Sequence, residues 1–567
     1  MTLFRKDCGW LWAAALLTLA KLWLTQGQAI FAIGTAGHDD QLFVKLADSL
    51  LRGEWLGPYD QLTLAKGPFY SLWIALIFLV GLPLSFAQQL AYAGACAVVV
   101  RALAPLLKTG PGWLAAYALL LWNPMSFEAS SLGRVLRQHV STPLALLIFA
   151  GLIALYTRRG EPFRRLAPWA AMLGAALGAF WLSREDGEWL APSVALLGVA
   201  VVVGAVRSPA GTWRTLLRAG GLAALSGLLP VALVSWENAR HYQWFGTVEL
   251  RADEFKDAYG ALLRVRVGPE IPFVPVTRQA REAIYAVSPT FAQLRPHLDG
   301  PIGEGWAGAS NFVTHLPAEQ RQIGGGWFMW ALRDSVAAVG YCHNAGDALA
   351  FYHRLAMEVN QACDDGRLPA GPRRSGLRPP WRSGLTREWL GAAVMFVDHF
   401  VSFRGFSAYP PPSIGNHDEL TLFADVTRDR LAPSPAIETA NPRQAALDAW
   451  KLAVLQAAGK VLRQLLFWLA AAAQVVALVR AVNLAWQRRL TYLFVVAAAA
   501  WAACAATILI YALIHVTSFP ALAVAYLDSA YPLLILFVIA VFLDVVWAWW
   551  PLLARPRPGG ATPAATS

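Results

Sequence analysis

Apolar runs about the length of a membrane-crossing helix recur along this chain and constrain its fold more than any other feature. They start near Trp10, Phe69, Gln88, Trp113, Val140, Ala167, Trp189 and Leu216, and return over Leu452–Val479, Tyr492–Ile514 and Tyr531–Trp550. A helix needs about 20 such residues to cross ~30 Å of hydrocarbon. In lipid every backbone donor and acceptor must be paired within the protein, which leaves helices or closed barrels. A barrel would instead read as strands of about 10 residues in strict alternation. Composition agrees: 57% of residues are hydrophobic and 15% charged, against roughly 25% charged in soluble domains. The expected fold is an all-α polytopic membrane protein of ten to twelve transmembrane helices, carrying a soluble insert of mostly helical or α+β structure.

The first run is long and lacks a small-residue cleavage site, so it reads as a retained span rather than a signal peptide. Residues 1–236 form an N-terminal transmembrane module whose first outer loop is 34–68. A polar, Pro- and Gly-rich stretch, 237–450, reads as one extracytoplasmic soluble domain. Residues 451–552 hold the last spans and 553–567 a cytoplasmic tail. Basic loops orient the whole, because Lys and Arg accumulate on the cytoplasmic side. Arg5 and Lys6 precede the first span; Arg158, Arg159, Arg164 and Arg165 form one cluster, Arg207, Arg214 and Arg218 another, and Arg480, Arg488 and Arg489 a third, with Arg555 and Arg557 after the last span. The net charge of +11 is thereby a topological signature, and nucleic acid is not an expected partner. Lys108 creates one conflict. With Lys108 also inside, the short Phe69–Leu84 run must begin and end on the outer side; either it fails to cross fully or Lys108 misleads, and the basic clusters outweigh a lone Lys.

Cys8, Cys96 and Cys504 fall in or beside apolar runs and read as small buried hydrophobes. Cys342 and Cys363 lie in the soluble insert, where a disulfide between them is one reading. The stretch from Asp347 to Gly366 reads as an amphipathic core helix. Gly324-Gly-Gly326 lacks the context of a nucleotide loop, and His417-Asp418-Glu419 reads as a surface turn.

The first outer loop carries the chemistry. Asp39 and Asp40 stand where a span meets the outer interface, and Leu42, Leu46, Leu50 and Leu51 then mark one face of a helix suited to lie along the membrane surface. Gly53 ends that helix, Gly57-Pro58 turns the chain, and Lys66-Gly-Pro-Phe-Tyr70 leads it back into the apolar phase. A carboxylate here can act as general base toward a hydroxyl, and a lysine can hold a phosphate as a point charge. Together they suit attack on a lipid-linked phosphosugar. A second reading stands beside it, in which the two aspartates merely cap the helix and Lys66 snorkels.

Residues Thr18 to Tyr70 resemble the opening of the type C membrane glycosyltransferases, especially the bacterial aminoarabinose transferases of lipid A and the protein O-mannosyltransferases. The resemblance rests on Asp39-Asp40, the aromatic Phe43, Leu46-Ala47, Gly53-Glu54-Trp55 and Lys66-Gly-Pro68. Leu42 stands where the family usually has Arg, and Ala65 where it has an acid. Asn238–Gly246 and Ala525–Pro532 resemble later family segments. The resemblance implies an inverting transferase that moves a sugar from a polyprenyl-phosphate donor to an acceptor hydroxyl on a glycolipid, polysaccharide or protein, at the outer face of the inner or plasma membrane. It implies Asp39 as base, Asp40 as a residue that orients acceptor or base, and Lys66 on the donor phosphate. No cofactor is expected, and a divalent metal is optional.

Arg134, Arg137 and His139 follow Asn123-Pro-Met-Ser-Phe-Glu128 at an outer helix end. Arg134 and Arg137, three apart, would share a helix face and clamp phosphate; ordinary interface anchoring is the alternative. Arg184, Glu185, Asp186 and Glu188 crowd one outer turn, either as a solvated loop or as the polar wall of a site, with Arg184 a further phosphate ligand. Asp528 and His515 flank the last outer turn and read as solvated. Two rivals to a transferase remain: a transporter or flippase for a lipid-linked or anionic solute, which would favour inverted repeats and broken helices at mid-membrane, and a non-catalytic assembly factor.

Overall fold

The structure is a computed structural model that describes residues 8–107, 109–209, 211–433 and 441–553. Arg5, Lys6, Lys108, Arg555, Arg557 and nearly all of the C-terminal tail lie outside the described residues. The chain is an all-α multi-pass membrane protein. Each apolar run becomes a helix: α1 (Cys8–Thr25), α3 (Phe69–Val80), α4 (Leu84–Leu103), α5 (Gly110–Leu121), α6 (Gln138–Thr157), α7 (Phe163–Trp181), α8 (Ala191–Val206) and α9 (Thr212–Tyr242), then the helices Pro442–Trp486, Tyr492–Thr517 and Tyr531–Leu553. Between α1 and α3 lies the polar-loop helix α2 (Asp40–Leu51). Among the described residues, seven helical segments are both long and apolar enough to cross a membrane, while Gly9–Thr25, Phe69–Val80 and Gly110–Leu121 are apolar but shorter. No strand longer than an isolated bridge occurs among the described residues.

The two ends of the bundle differ chemically. At one end, arginines are tied down between helix termini: Arg158 donates to the carbonyls of Arg101 (2.6 Å) and Ala102 (3.0 Å), Arg159 to Ser208, and Arg480 to Asp544. Together with Trp547 Nε1 donating to Leu106 O at 2.6 Å, these bonds gather the C-terminal ends of α4, α6, α8, Pro442–Trp486 and Tyr531–Leu553 on one side, so the chain alternates between the basic end and its opposite. α3 is the exception. Its 12 residues rise about 18 Å at 1.5 Å per residue, as do the 12 of α5, but both ends of the α3 run lie at the same end of the bundle. It starts beside the end of α7, where Phe69 N–H bonds Leu182 O. After the left-handed turn at Gly81 the chain stands again on that side, where Ser85 bonds Asp429. Of the two ways to reconcile the Phe69–Leu84 run, the one seen is a run that begins and ends on the same side.

Between α9 and Pro442–Trp486, residues 252–368 build a core of their own around Phe255, Phe328, Phe351, Tyr352 and Val359. The helix Leu385–Val401 packs instead into the bundle core through Ala392, Phe396 and Phe400. Residues 414–432 pair with the stretch after α1, Ile30 and Ile33 bridging to Leu431 and Ile414. Cys342 and Cys363 are free thiols, which corrects the disulfide reading. Cys363 lies in the last turn of the 20-residue helix Ala345–Asp364 and Cys342 just ahead of its first turn, so most of the helix length, roughly 27 Å by helical rise, stands between them.

Two further expectations change. The loop helix α2 does not lie bare on a membrane surface. Leu42 and Leu46 pack with Leu56, Leu64 and Tyr242 on one side, while Phe43, Val44 and Ala47 pack with Tyr70, Ile74 and Phe423 on the other. Its apolar stripe meets protein on both flanks. Asp528 is buried, not solvated, and accepts the Thr142 hydroxyl at 2.5 Å, because the turn before Tyr531–Leu553 folds under α6. His515 accepts from Ala521 N–H at 3.1 Å.

Candidate functional site

Asp39 occupies the N-cap position of α2, yet its side chain makes no capping hydrogen bond. Its carboxylate is paired with the Lys66 ammonium instead. A cap residue that leaves helix donors unserved to hold a lysine argues against the plain capping reading. The side chain of Lys66 is 11% exposed and that of Asp39 52%, so the pair opens to solvent on the acid's side. Lys66 also rests over the ring of Phe43 at 5.4 Å. That ring stands edge-on to Tyr70, and Ser71 Oγ donates to the Phe43 carbonyl at 3.0 Å.

Asp40, the first residue of α2, is fully enclosed. Arg134 grips it with two guanidinium nitrogens, Nε at 3.1 Å from Oδ1 and Nη2 on Oδ2, a fork geometry specific to Arg. The two acids are pushed apart electrostatically. Burial raises Asp40, Arg134 offsets this only in part, and the neighbouring Asp39 adds to the rise. Burial also pushes Asp39 upward, but Lys66 by charge and hydrogen bond, aided by Arg134 and Arg137, holds it below the ordinary carboxylate range. Adjacent acids with divergent acidities are suited to different tasks.

Arg137 pairs with Glu185 and donates to Ser183 O at 3.3 Å. Glu185 also accepts Gly67 N–H at 2.6 Å, so the turn after α7 is bound to the Lys66-Gly-Pro segment. The glycine is required there: a Cβ on Gly67 would stand 2.0 Å from the Leu182 carbonyl oxygen. Arg184 is buried and holds Asp186 through two bonds of 2.8 Å, with Tyr511 OH at 2.6 Å. Arg184, Glu185 and Asp186 of the charged turn are thus packed into the protein, whereas Glu188 stays exposed and pairs with Arg378. Its acid–base partners give Asp186 a strongly lowered pKa despite burial, Arg184 being the main cause of the lowering.

Arg134 and Arg137 do not share a helix face. They lie in the bent segment ahead of α6, with Arg137 at its N-cap position. The carboxylate of Glu128 accepts the N–H groups of Ser130, Ser131 and Leu132 at 2.6, 3.0 and 2.9 Å, which fixes a loop where the spacing suggested a helix. His139 bonds the Leu132 carbonyl at 2.6 Å and so braces this loop. Behind Arg134 a polar cavity, lined in part by Gln28, Gln89, Asn123, Thr142 and Asp528, opens into the bundle.

Asp39, Asp40, Lys66, Arg134, Arg137 and Arg184 therefore gather at the end of the bundle opposite the tied arginines, and His139 stands behind them. Glu128, Tyr511 and Tyr526 were not singled out from the sequence. Tyr526 lies within the electrostatic reach of Asp39, Arg134 and Arg137; the one signal in the sequence is the resemblance of Ala525–Pro532 to a late family segment. Among the described residues, no cluster of His, Cys, Asp and Glu is arranged to hold a metal ion.

No protein-family model matches this chain, and no curated protein matches it. Among solved structures it is similar to the apo-state crystal structure of ArnT from Cupriavidus metallidurans, at 14% identity and a TM-score of 0.31, over 94% of this chain and 76% of that one. A likeness this distant carries no functional weight, which falls on the site geometry.

Proposed function

We propose that the chain is an inverting glycosyltransferase that moves a sugar from a polyprenyl-phosphate donor to an acceptor hydroxyl at the outer face of the cytoplasmic membrane. One observation carries the reading: Asp39 forgoes its helix cap to pair with a buried lysine, beside a second acid held by an arginine fork. A half-open carboxylate backed by three cations suits a base facing an anionic leaving group. On donor binding, Lys66 passes from the Asp39 carboxylate to the phosphate. Asp39 then takes the acceptor proton, the acceptor oxygen bonds the anomeric carbon, and the carbon–oxygen bond to phosphate breaks with its electron pair leaving on the lipid phosphate. Asp40 keeps Arg134 in place, and Lys66, Arg134 and Arg137 neutralise the charge that builds on the departing group, an effect greatest where water is scarce. Arg184 completes the wall behind them. A phosphate leaving group needs neither nucleotide loop nor obligatory metal. Residues 237–450 would then face outward and select the glycan, glycolipid or protein acceptor.

The test is to incubate the purified protein with a panel of polyprenyl-phosphate sugars and measure free polyprenyl phosphate. Release by the native protein, and its loss by about 10²–10⁴-fold in Asp39→Asn with an unchanged melting profile, is the expected result. A transporter would release none, and an Asp39→Asn variant of near-native turnover would reduce Asp39 to a structural role.

A further inference from the structure

His38 stands immediately before the proposed base. Its Nε2 is buried without a hydrogen-bond partner. The ring is instead held edge-on by two indoles, Trp306 at 5.0 Å and Trp330 at 4.6 Å between centroids. These come from two helices of the inserted segment, Pro301–Thr314 and Gly325–Ala338. Edge-to-face aromatic contacts of this kind are worth more than the area they bury.

The clamp is itself anchored. Trp306 Nε1 donates to Asp334 Oδ2 at 2.8 Å, and Gln61 Nε2 donates to Asp334 Oδ1 at 3.2 Å. One turn away on the same helix as Trp330, Arg333 donates to the Gln61 carbonyl through Nε (2.8 Å) and Nη2 (2.5 Å) and pairs with buried Glu249 at 2.6 Å. Glu249 in turn accepts the hydroxyl of Tyr59, and its N–H bonds Leu64 O at 3.0 Å. The helix Gly325–Ala338 thus holds the residue preceding Asp39 and, separately, the loop that leads to Lys66. Burial lowers the pKa of the imidazole, and the charges of Lys66 and Arg333 act the same way against Asp334 and Asp39. A neutral ring does not compete with Lys66 for the Asp39 carboxylate.

We infer that His38 is a positioning residue: its ring, gripped by Trp306 and Trp330, fixes the backbone of Asp39 so that the inserted segment sets the geometry of the Asp39–Lys66 pair. This rests on the reading of Asp39 as base, although its structural half can be measured without catalysis. The amides of Asp39 and Gln41 both donate to the Ala36 carbonyl, at 3.0 and 3.2 Å, and report the order of this turn. In the full-length protein, His38→Ala and the double variant Trp306→Leu/Trp330→Leu should each speed hydrogen exchange at these two amides about tenfold or more, with α6 unaffected. His38→Phe, which keeps a ring in the clamp, should leave exchange at the native rate. With a polyprenyl-phosphate sugar, His38→Ala should lower kcat about 10- to 100-fold, the range for a base displaced by a fraction of an ångström to 1 Å, with the donor KM within about twofold; His38→Phe should recover most of that loss.

Native exchange in His38→Ala overturns the inference whatever the protein's activity. So does a His38→Phe variant as defective in kcat as His38→Ala, since that assigns the role to the ring nitrogen. If the native protein releases no lipid phosphate while exchange responds as expected, the positioning stands and the transferase reading alone falls.

Discussion

Lys66 acts on Asp39, and pH separates that effect from the role proposed for it on the departing phosphate. It supplies the largest force that opposes burial and keeps the carboxylate ionised. A carboxyl with a lowered pKa remains a base down to more acidic conditions, so the acid limb of kcat/KM owed to Asp39 should lie below pH ~4, the ordinary range for Asp. In Lys66→Ala, burial persists while the main opposing charge is gone, so the limb should move to higher pH, and turnover should fall as the leaving phosphate loses its cation. A pH profile of both proteins decides this; a limb that does not move would mean that Lys66 does not act on Asp39. The same sign governs stability. The pair contributes above the unfolded carboxylate pKa, and its contribution is lost as pH falls through the lowered folded value.

The segment between α5 and α6 shows how one acid organises an element the spacing misrepresents. Three backbone N–H groups converge on Glu128 and tie residues 130–132 to it, and Arg134 and Arg137 are presented from the bent segment that follows. Glu128→Ala leaves those donors without their partner, at a cost of about 1–3 kcal/mol for each that stays buried and unpaired. Faster exchange over 129–137 and a raised donor KM are expected, with α4 and α6 retaining native protection. Native exchange in that stretch would show the loop to be held by other contacts, such as His139 on Leu132. α2 illustrates the reverse case. Its boundaries are plain in the sequence, with Gly53 in the left-handed conformation after Arg52, but the partners of its two apolar flanks come from residues 56–77, 242 and 423.

Across the molecule, the basic end and the site end are opposite, and this polarity ties function to orientation. If the basic loops face the cytoplasm, a lone cysteine at Gly160→Cys, introduced with the native cysteines replaced, should resist an impermeant thiol reagent in intact cells. Ser375→Cys, in the inserted segment, should react. The opposite pattern would put Asp39 on the cytoplasmic side and remove the outer-face reading. The division of labour between chain and fold follows from range. Apolar length fixes a helix wherever hydrocarbon must be crossed, so nearly every membrane helix, the basic-loop polarity and the Asp39–Lys66 motif are written locally, within runs of a few tens of residues. Whether Arg184 is solvated or walled in against Tyr511, and whether His38 meets two indoles from residues 306 and 330, depend on side chains hundreds of positions apart. Burial and ion pairing are properties of what surrounds a group in space, and only the packed helices bring those surroundings together.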